Sequence, residues 1–342
     1  MSTTTSPKQA PTPPEGAPTS TTRRWLQRAR AASAAGSTGI GLVLIWVVLA
    51  FASPYFLTPQ NILNILLQAS VLAILAGGQT YALIAAEIDL SVGSVVALVG
   101  SVAAILMVSA GVAWPIALVA ALAIGVVTGG IAGTFRTRFG IPTFVTTLAL
   151  MGITRGIALV VTNGESIYGL PGGFRWLGQG HIGPIPVPII IAIVVLAALH
   201  VLLSRTTFGL NVYAIGGNAE AARLAGVHVS RVRMIVMVLS GLCAALGGIV
   251  LASRLGSGSG TVGEDLLLDS IAAVVIGGTS LMGGVGTITG TAIGVVLIAS
   301  IRNGLVLLGV SAFWQMAAIG ALILVAVFLD YLAKGSSRTA AA

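Results

Sequence analysis

The sequence predicts an all-α integral membrane protein of about ten transmembrane helices, several of them interrupted by glycine. Three observations carry this reading. The 342-residue chain is 56% hydrophobic and only 8% charged, with a mean hydropathy of +1.04, whereas a soluble domain carries roughly 25% charged residues. Its apolar runs are each roughly 20 residues long and do not alternate, which suits spanning helices and not barrel strands. Forty-five glycines among many alanines suit helices whose backbones approach closely in lipid.

Residues 1–37 precede the apolar part. They begin MSTTTSPKQAPTPPEGAPTS, rich in Thr, Pro and Ser and without apolar periodicity, so a disordered cytoplasmic tail is expected. RRWLQRAR follows, with Arg23, Arg24, Arg28 and Arg30 just before the first apolar run. There is no cleavage site, so this reads as a signal anchor with its N-terminus inside.

A transmembrane domain is expected over 38–333, and its spans follow in order. Span 1 covers 38–56 and stops at the Pro54 breaker. Span 2 covers 62–86, with Gly77-Gly78 weakening its middle, and span 3 runs from Asp89 to 109. Span 4 covers 114–133 and leads into FRTRFG, where Arg136 and Arg138 mark an internal loop. Span 5 covers 143–161 and precedes an external loop rich in Gly and Pro. Span 6 covers 188–203 and span 7 covers 235–252, followed by the external loop SRLGSGSGTVGEDLLLD. Spans 8, 9 and 10 fit at 269–282, 287–308 and 313–332, the eighth short and full of glycine. Lys334 and Arg338 then place a short C-terminal tail, 334–342, inside. The segments LAILAGGQT (72–80) and AAVVIGGTS (272–280) echo one another, as the paired broken helices of a transporter repeat would.

The stretch with the most information is a polar island of about thirty residues between spans 6 and 7. Residues 204–234 hold Arg205, Arg223, Arg231 and Arg233 but a single acid, Glu220, so the island stays on the cytoplasmic side. It encodes a small helix with signals at both ends. Asn218 stands where an N-cap belongs, after Gly217, which permits a turn. Glu220 in the first turn and Arg223 in the last each suit the helix dipole. Gly226 follows at the position where a left-handed residue ends a helix. Ala221, Leu224 and Ala225 give it an apolar face. So short a helix is unstable alone in water, so either the membrane domain or a cytoplasmic partner must hold it.

Several chemistries are excluded. The two lysines, Lys8 and Lys334, stand in no Walker A loop, so the chain is not itself a P-loop ATPase. The run GGVGTITG (283–290) lacks the dinucleotide-binding spacing and reads as close helix packing. His181, His200 and His228 are scattered and suggest no metal cluster, and no nucleophilic triad is spaced out. Cys243 is the single cysteine, so no intrachain disulfide forms. The formal charge of +8 reads as membrane topology and not as nucleic-acid binding.

Charges near the apolar runs each carry two readings. Asp89, with Ser91 beside it, either caps span 3 or belongs to a broken segment lining a polar path. Arg155 is a pathway candidate, or pairs with a neighbouring helix or snorkels outward, and Arg302-Asn303 invites the same choice. Trp314 and Gln315 either stack on and hydrogen-bond a sugar or anchor the helix at the interface.

Four motifs, in this order, resemble the ribose/xylose/galactose-type permeases of bacterial ABC importers: AAEIDLSVGS (85–94), FGLNVYAIGGNAEAARLAGV (208–227), IAAVVIGGTSLMGGVGT (271–287) and IRNGLVLLGVSAFWQ (301–315). The likeness covers 40–332. It implies a multi-pass subunit of the bacterial plasma (inner) membrane, N- and C-termini cytoplasmic, paired with a second permease subunit as a homodimer or heterodimer. Two cytoplasmic P-loop ATPase subunits and an extracytoplasmic sugar-binding protein are its implied partners, with membrane lipid around it and no nucleic acid. The chain would hold no cofactor, ATP and Mg being bound by the ATPase. The family's docking loop for the ATPase falls here on Gly217, Asn218, Ala221, Ala222 and Arg223, with Glu220 and Gly226 completing the helix. Two positions depart from the pattern: Leu210, often basic in the family, and Leu267, often glutamate.

The reading is an importer subunit that performs no chemistry and couples monosaccharide passage to a partner's ATPase. Gly217 and Arg223 substitutions should then uncouple hydrolysis from transport. An ion-gradient-driven carrier, a purely structural subunit, or the same permease role for nucleosides, autoinducer-like furanosides or branched-chain amino acids are the competing readings. Asp89, Ser91, Asn303, Trp314 and Gln315 are the candidate pathway residues.

Overall fold

The computed structural model of the chain describes Gly36 and residues 38–339; apart from Gly36, the N-terminal tail expected over 1–37 lies outside them, as do residues 340–342. Thirteen α-helices are described: α1 (Thr38–Ala52), α2 (Pro59–Ile84), α3 (Val92–Ala104, extended by a π turn, Ile105–Ser109), α4 (Trp114–Arg138), α5 (Thr143–Thr162), α6 (Gly172–Gln179), α7 (Val187–Arg205), α8 (Thr207–Gly217), α9 (Ala219–Leu224), α10 (Val229–Leu255), α11 (Glu264–Ile276), α12 (Ile288–Leu307) and α13 (Ala312–Thr339). Strands β1 (Ser166–Tyr168) and β4 (Ser257–Ser259) pair antiparallel, and β2 (His181–Ile182) with β3 (Ile185–Pro186) forms a hairpin. Both ribbons sit at the end of the bundle opposite α9.

Local chemistry sets many of the boundaries. Thr58 caps α2 by accepting from the Asn61 amide, with Pro59 in the first turn. Thr287 caps α12 by accepting from the Gly290 amide at 3.0 Å. Arg136 and Arg138 lie in the last turn of α4, where cations suit the dipole. They belong to the helix and not to a loop after residue 133, because the cationic turn still closes its backbone hydrogen bonds.

Among the described residues seven helices are long and apolar enough to cross a membrane: α2, α3 with its π turn, α4, α5, α7, α10 and α12. The other three expected spans correspond to α1, α11 and α13. α11 has 13 residues and so reaches about 20 Å, short of the roughly 30 Å hydrocarbon layer. An irregular stretch, 277–287, continues it toward the α9 end.

α10 and α2 form the centre. α4 packs along α10 as α12 packs along α2, and α3 lies on α5 as α11 lies on α13. The α4–α10 crossing is close because a β-carbon on Gly125 would run into the Gly241 carbonyl, and one on Gly241 into that of Gly125. The echo between 72–80 and 272–280 does not mark equivalent elements. The first segment lies inside continuous α2, where Gly77 and Gly78 admit side chains of α7 and α10. The second ends α11, with Gly278 left-handed at φ +88°. Glycine in α2 serves packing and does not break the helix.

Buried polar side chains tie the spans together. Thr80 and Thr291 hydroxyls meet at 2.7 Å between α2 and α12, and Tyr81 donates to the Leu199 carbonyl at 2.6 Å. In hydrocarbon such partners replace the water that these groups would otherwise need.

Candidate coupling helix and membrane pathway

The island folds as two short helices, and α8 fixes where α9 sits. Gly216 of α8 approaches the Ile84 carbonyl at the end of α2 and the Gly284 amide in the α11–α12 loop. A β-carbon there would overlap both. The Gly284 amide itself donates to the Ile84 carbonyl at 2.8 Å. Tyr213 donates its hydroxyl to the Gly286 carbonyl at 2.6 Å. Burial pushes that hydroxyl up to about 12, so it remains a neutral donor at physiological pH. α8 is thereby fastened to two membrane elements at once.

α9 has the caps expected of it. Asn218 Oδ1 accepts from the Ala221 amide at 2.9 Å. Gly226 adopts φ +85°, and its amide donates to the Arg223 carbonyl at 3.0 Å. Arg223 donates through Nε and Nη2 to Glu220 at 3.0 and 2.6 Å. That hydrogen bond and charge hold the Glu220 carboxyl below its usual range. Ala222 is buried against the bundle, while Glu220, Ala221, Arg223 and Ala225 are exposed and Leu224 is 76% exposed. Gly217 is exposed, has no left-handed φ, and a β-carbon on it would meet nothing within 4 Å. The glycine of this pair whose missing β-carbon the packing requires is Gly216.

Beside the island lies a buried ion cluster. Glu87, just past α2, is 2% exposed. Arg136 of α4 donates to it at 2.9 Å and the Thr143 hydroxyl of α5 at 2.7 Å. Arg233 of α10 places Nε 2.7 Å from Oε1, off the direction of a hydrogen bond. One carboxylate therefore holds α4, α5 and α10 to the α2–α3 connection.

Asp89 has a different environment. Its Oδ1 accepts from the Ser91 amide and hydroxyl at 2.9 and 2.6 Å, and its Oδ2 from the Ser240 hydroxyl of α10 at 2.7 Å. The N-cap position of α3 belongs to Ser91, and Asp89 acts two residues earlier. Asp89 makes no ion pair among the described residues; its two carboxyl oxygens are satisfied by three hydrogen-bond donors. Gln79 donates to the Asp89 carbonyl at 2.6 Å, and Thr154 of α5 donates to Ser94 of α3 at 2.7 Å. These groups form a closed polar seam among α2, α3, α5 and α10.

The remaining pathway candidates lie apart. Asn303 is 5% exposed and exchanges two amide hydrogen bonds with Asn61, both 2.9 Å. Replacing Asn303 by leucine should cost about 1–3 kcal/mol, the penalty of orphaning a buried amide, and thermal unfolding in detergent measures it. The Asn61→Leu/Asn303→Leu pair should recover most of that loss. Trp314 is 72% exposed at the start of α13, and Gln315 donates to the Val310 carbonyl at 2.8 Å. Arg155 donates to the carbonyls of Gly260 and Val262, holding the α10–α11 loop to α5. Arg302 clasps Asp265 and Asp269 of α11 at 2.8 and 2.7 Å. The structure thus places the seven island residues on and around one short helix and leaves the five pathway candidates in three places.

Residues 61–327 match a protein family described as the permease component of the branched-chain amino acid transport system. The chain belongs to this permease family. A ribose import permease protein of Bacillus subtilis is 45% identical to it, over 85% of this chain and 91% of the relative. The ribose import permease protein of Escherichia coli K12 is 40% identical, over 90% and 95%. A xylose transport system permease protein of Haemophilus influenzae is 35% identical, over 85% and 95%. No solved structure matches the permease. As a multi-pass membrane transport subunit it fits both its seven apolar helices and its four-motif resemblance.

Sequence reasoning alone does not point to Gly216 or Arg233 as functional positions, and it places Glu87 only as an acid that brackets, with Asp89, the junction of spans 2 and 3. Gly216 stands beside Gly217 in the same motif, and Glu87 is an acid in an apolar stretch, so each left a signal. Their partners are distant in sequence, and so their roles did not show.

Proposed function

We propose that this permease is the membrane subunit of a binding-protein-dependent ABC importer for a monosaccharide of the ribose, xylose or galactose class. The observation that carries this reading is α9, a helix too short to stand alone, capped at both ends, presenting Leu224 and the Glu220–Arg223 pair to solvent. A cytoplasmic ATPase bearing a complementary groove would cover it, holding ATP and Mg in its own chain. The loops around 164–188 and 253–269, at the opposite end, receive the external binding protein. The arginine-rich end then faces the cytoplasm of the inner membrane, as the positive-inside rule requires. A second permease subunit completes the channel.

In this mechanism ATP binding draws the two ATPase subunits together and moves α9 with α8. Because α8 contacts the end of α2 and the α11–α12 loop through Gly216, the displacement reaches two elements of the membrane core. A switch between two discrete packings follows. The ribose and xylose relatives support the sugar class.

Arg223→Glu places two acids on α9 and should reduce recovery of the ATPase at least about tenfold, or 1.4 kcal/mol. A mild-detergent pull-down of the tagged permease from its native membrane, read by mass spectrometry, measures this. Unchanged recovery of the ATPase with Arg223→Glu would refute docking at α9. Failure of the unaltered chain to recover any ATPase, even after cross-linking, would refute the importer reading.

A further inference from the structure

At the end of the bundle away from α9, α2, α10, α11 and α12 line a half-open cavity of about 320 Å³, near the lower limit of roughly 300–1,000 Å³ for small-molecule sites. Its wall carries Arg254, Arg302, Asp265, Asp269, Gln68 and Thr261. Aliphatic groups, among them Leu251 and Ile298, form the rest. Of the charges weighed as pathway candidates from the sequence, Arg302 lines it, while Asp89, Ser91, Asn303, Trp314 and Gln315 do not.

Charge is what makes this cavity informative. Two arginines and two aspartates sum to zero, and charges placed among membrane helices are costly unless paired or used. Arg302 holds both acids, with Nη1 2.8 Å from Asp265 and Nη2 2.7 Å from Asp269. Its Nε is buried without a hydrogen-bond partner. Arg254 makes no ion pair among the described residues and spends one N–H on the Leu67 carbonyl at 3.2 Å. Donors and acceptors thus remain around a wall that is already neutral.

The ligand class follows from that balance. A zwitterion needs a free carboxylate for its ammonium group, and Arg302 already engages both acids. A net anion would unbalance the wall. Neutral hydroxyl groups can use the lone pairs left on a paired carboxylate and the N–H groups left on a paired guanidinium. The C–H face of a sugar ring then lies against Leu251 and Ile298. The volume admits one small ring and no oligosaccharide.

We infer that this cavity is a resting site for a neutral monosaccharide inside a single permease subunit, on the side where the binding protein docks. The inference rests on the importer reading above and names where in the chain its substrate pauses. Weak binding is required of such a site, since a substrate held tightly would not leave.

Site-directed labelling tests it on the purified full-length permease in lipid nanodiscs. Cys243 is 4% exposed, so Thr261→Cys supplies the reactive thiol at the cavity wall. Its labelling by a membrane-impermeant maleimide is followed with D-ribose, D-xylose or L-leucine present. Occupancy slows labelling by the factor 1 + [L]/Kd, so about fivefold at a ligand concentration about four times Kd. Ribose or xylose should give this protection and leucine should not. Adding Ala299→Leu, which fills the wall between α2 and α12, should abolish the protection while labelling persists. Gln68→Ala, which removes a hydrogen-bonding group and adds no bulk, should weaken the protection severalfold and guards against misfolding of the filled variant. Labelling indifferent to both sugars overturns the assignment, and protection by leucine alone overturns the ligand class. Recovery of the ATPase from native membranes is read separately. A cavity that fails this test while the ATPase still co-purifies leaves the importer reading standing.

Discussion

Gly216→Val is expected to abolish coupling while Gly217→Ala leaves it nearly intact. The two glycines are neighbours, yet a β-carbon at Gly216 meets the Ile84 carbonyl and the Gly284 amide, and one at Gly217 meets open space. Overpacking against side chains costs about 1–3 kcal/mol because rotamers can yield. Here the obstacles are backbone atoms at the end of α2 and in the α11–α12 loop, and relieving them means lifting α8 from its seat. At about 3 kcal/mol the docked arrangement would lose more than a hundredfold in population. Sugar uptake and ATPase recovery should therefore both collapse in Gly216→Val. Normal uptake in that variant would show that α8 does not carry the motion.

Glu87→Gln should be the most damaging single change at the same end of the molecule. It keeps the size of the side chain and removes the charge that Arg136 and Arg233 share. Breaking a buried pair by deleting one partner costs about 3–5 kcal/mol, since the charge left behind is uncompensated. Two guanidinium groups would be left here, and the Thr143 hydroxyl would lose its carboxylate acceptor. The unfolding midpoint in detergent should fall by on the order of 10 °C. Glu87→Asp, which retains the charge, should fall less. Equal midpoints for Glu87→Gln and the unaltered protein would mean that the arginines are neutralised by solvent or lipid.

Legibility in the sequence followed the range of each interaction. The caps of α9 were readable because Asn218 acts on Ala221 and Gly226 on Arg223, within one or two turns. The apolar runs were readable because lipid imposes length and hydrophobicity on each span separately. Boundaries were less so: α4 continues to Arg138 although its arginines looked like a loop, since a charged last turn is helical and polar at once. The Gly-Gly pair in α2 looked like a break and is a packing site. Whether glycine bends a helix or admits a neighbour depends on what faces it, and that residue lies elsewhere in the chain.

The sequence by itself determined the class of the protein, the position of its polar island, the caps of its short helix and the family to which it belongs. These rest on composition, on contacts a few residues apart, and on motifs in order. Only the tertiary structure decided that Gly216 bears the steric constraint, that Glu87 draws in arginines from α4 and α10, that Asn303 answers Asn61, and that Arg254, Arg302, Asp265 and Asp269 surround one cavity. Asn61 and Asn303 stand 242 residues apart, and no local pattern encodes their meeting. The packing of helices around α2 and α10 decides such pairs, because an unpartnered polar group in hydrocarbon is too costly to leave in place.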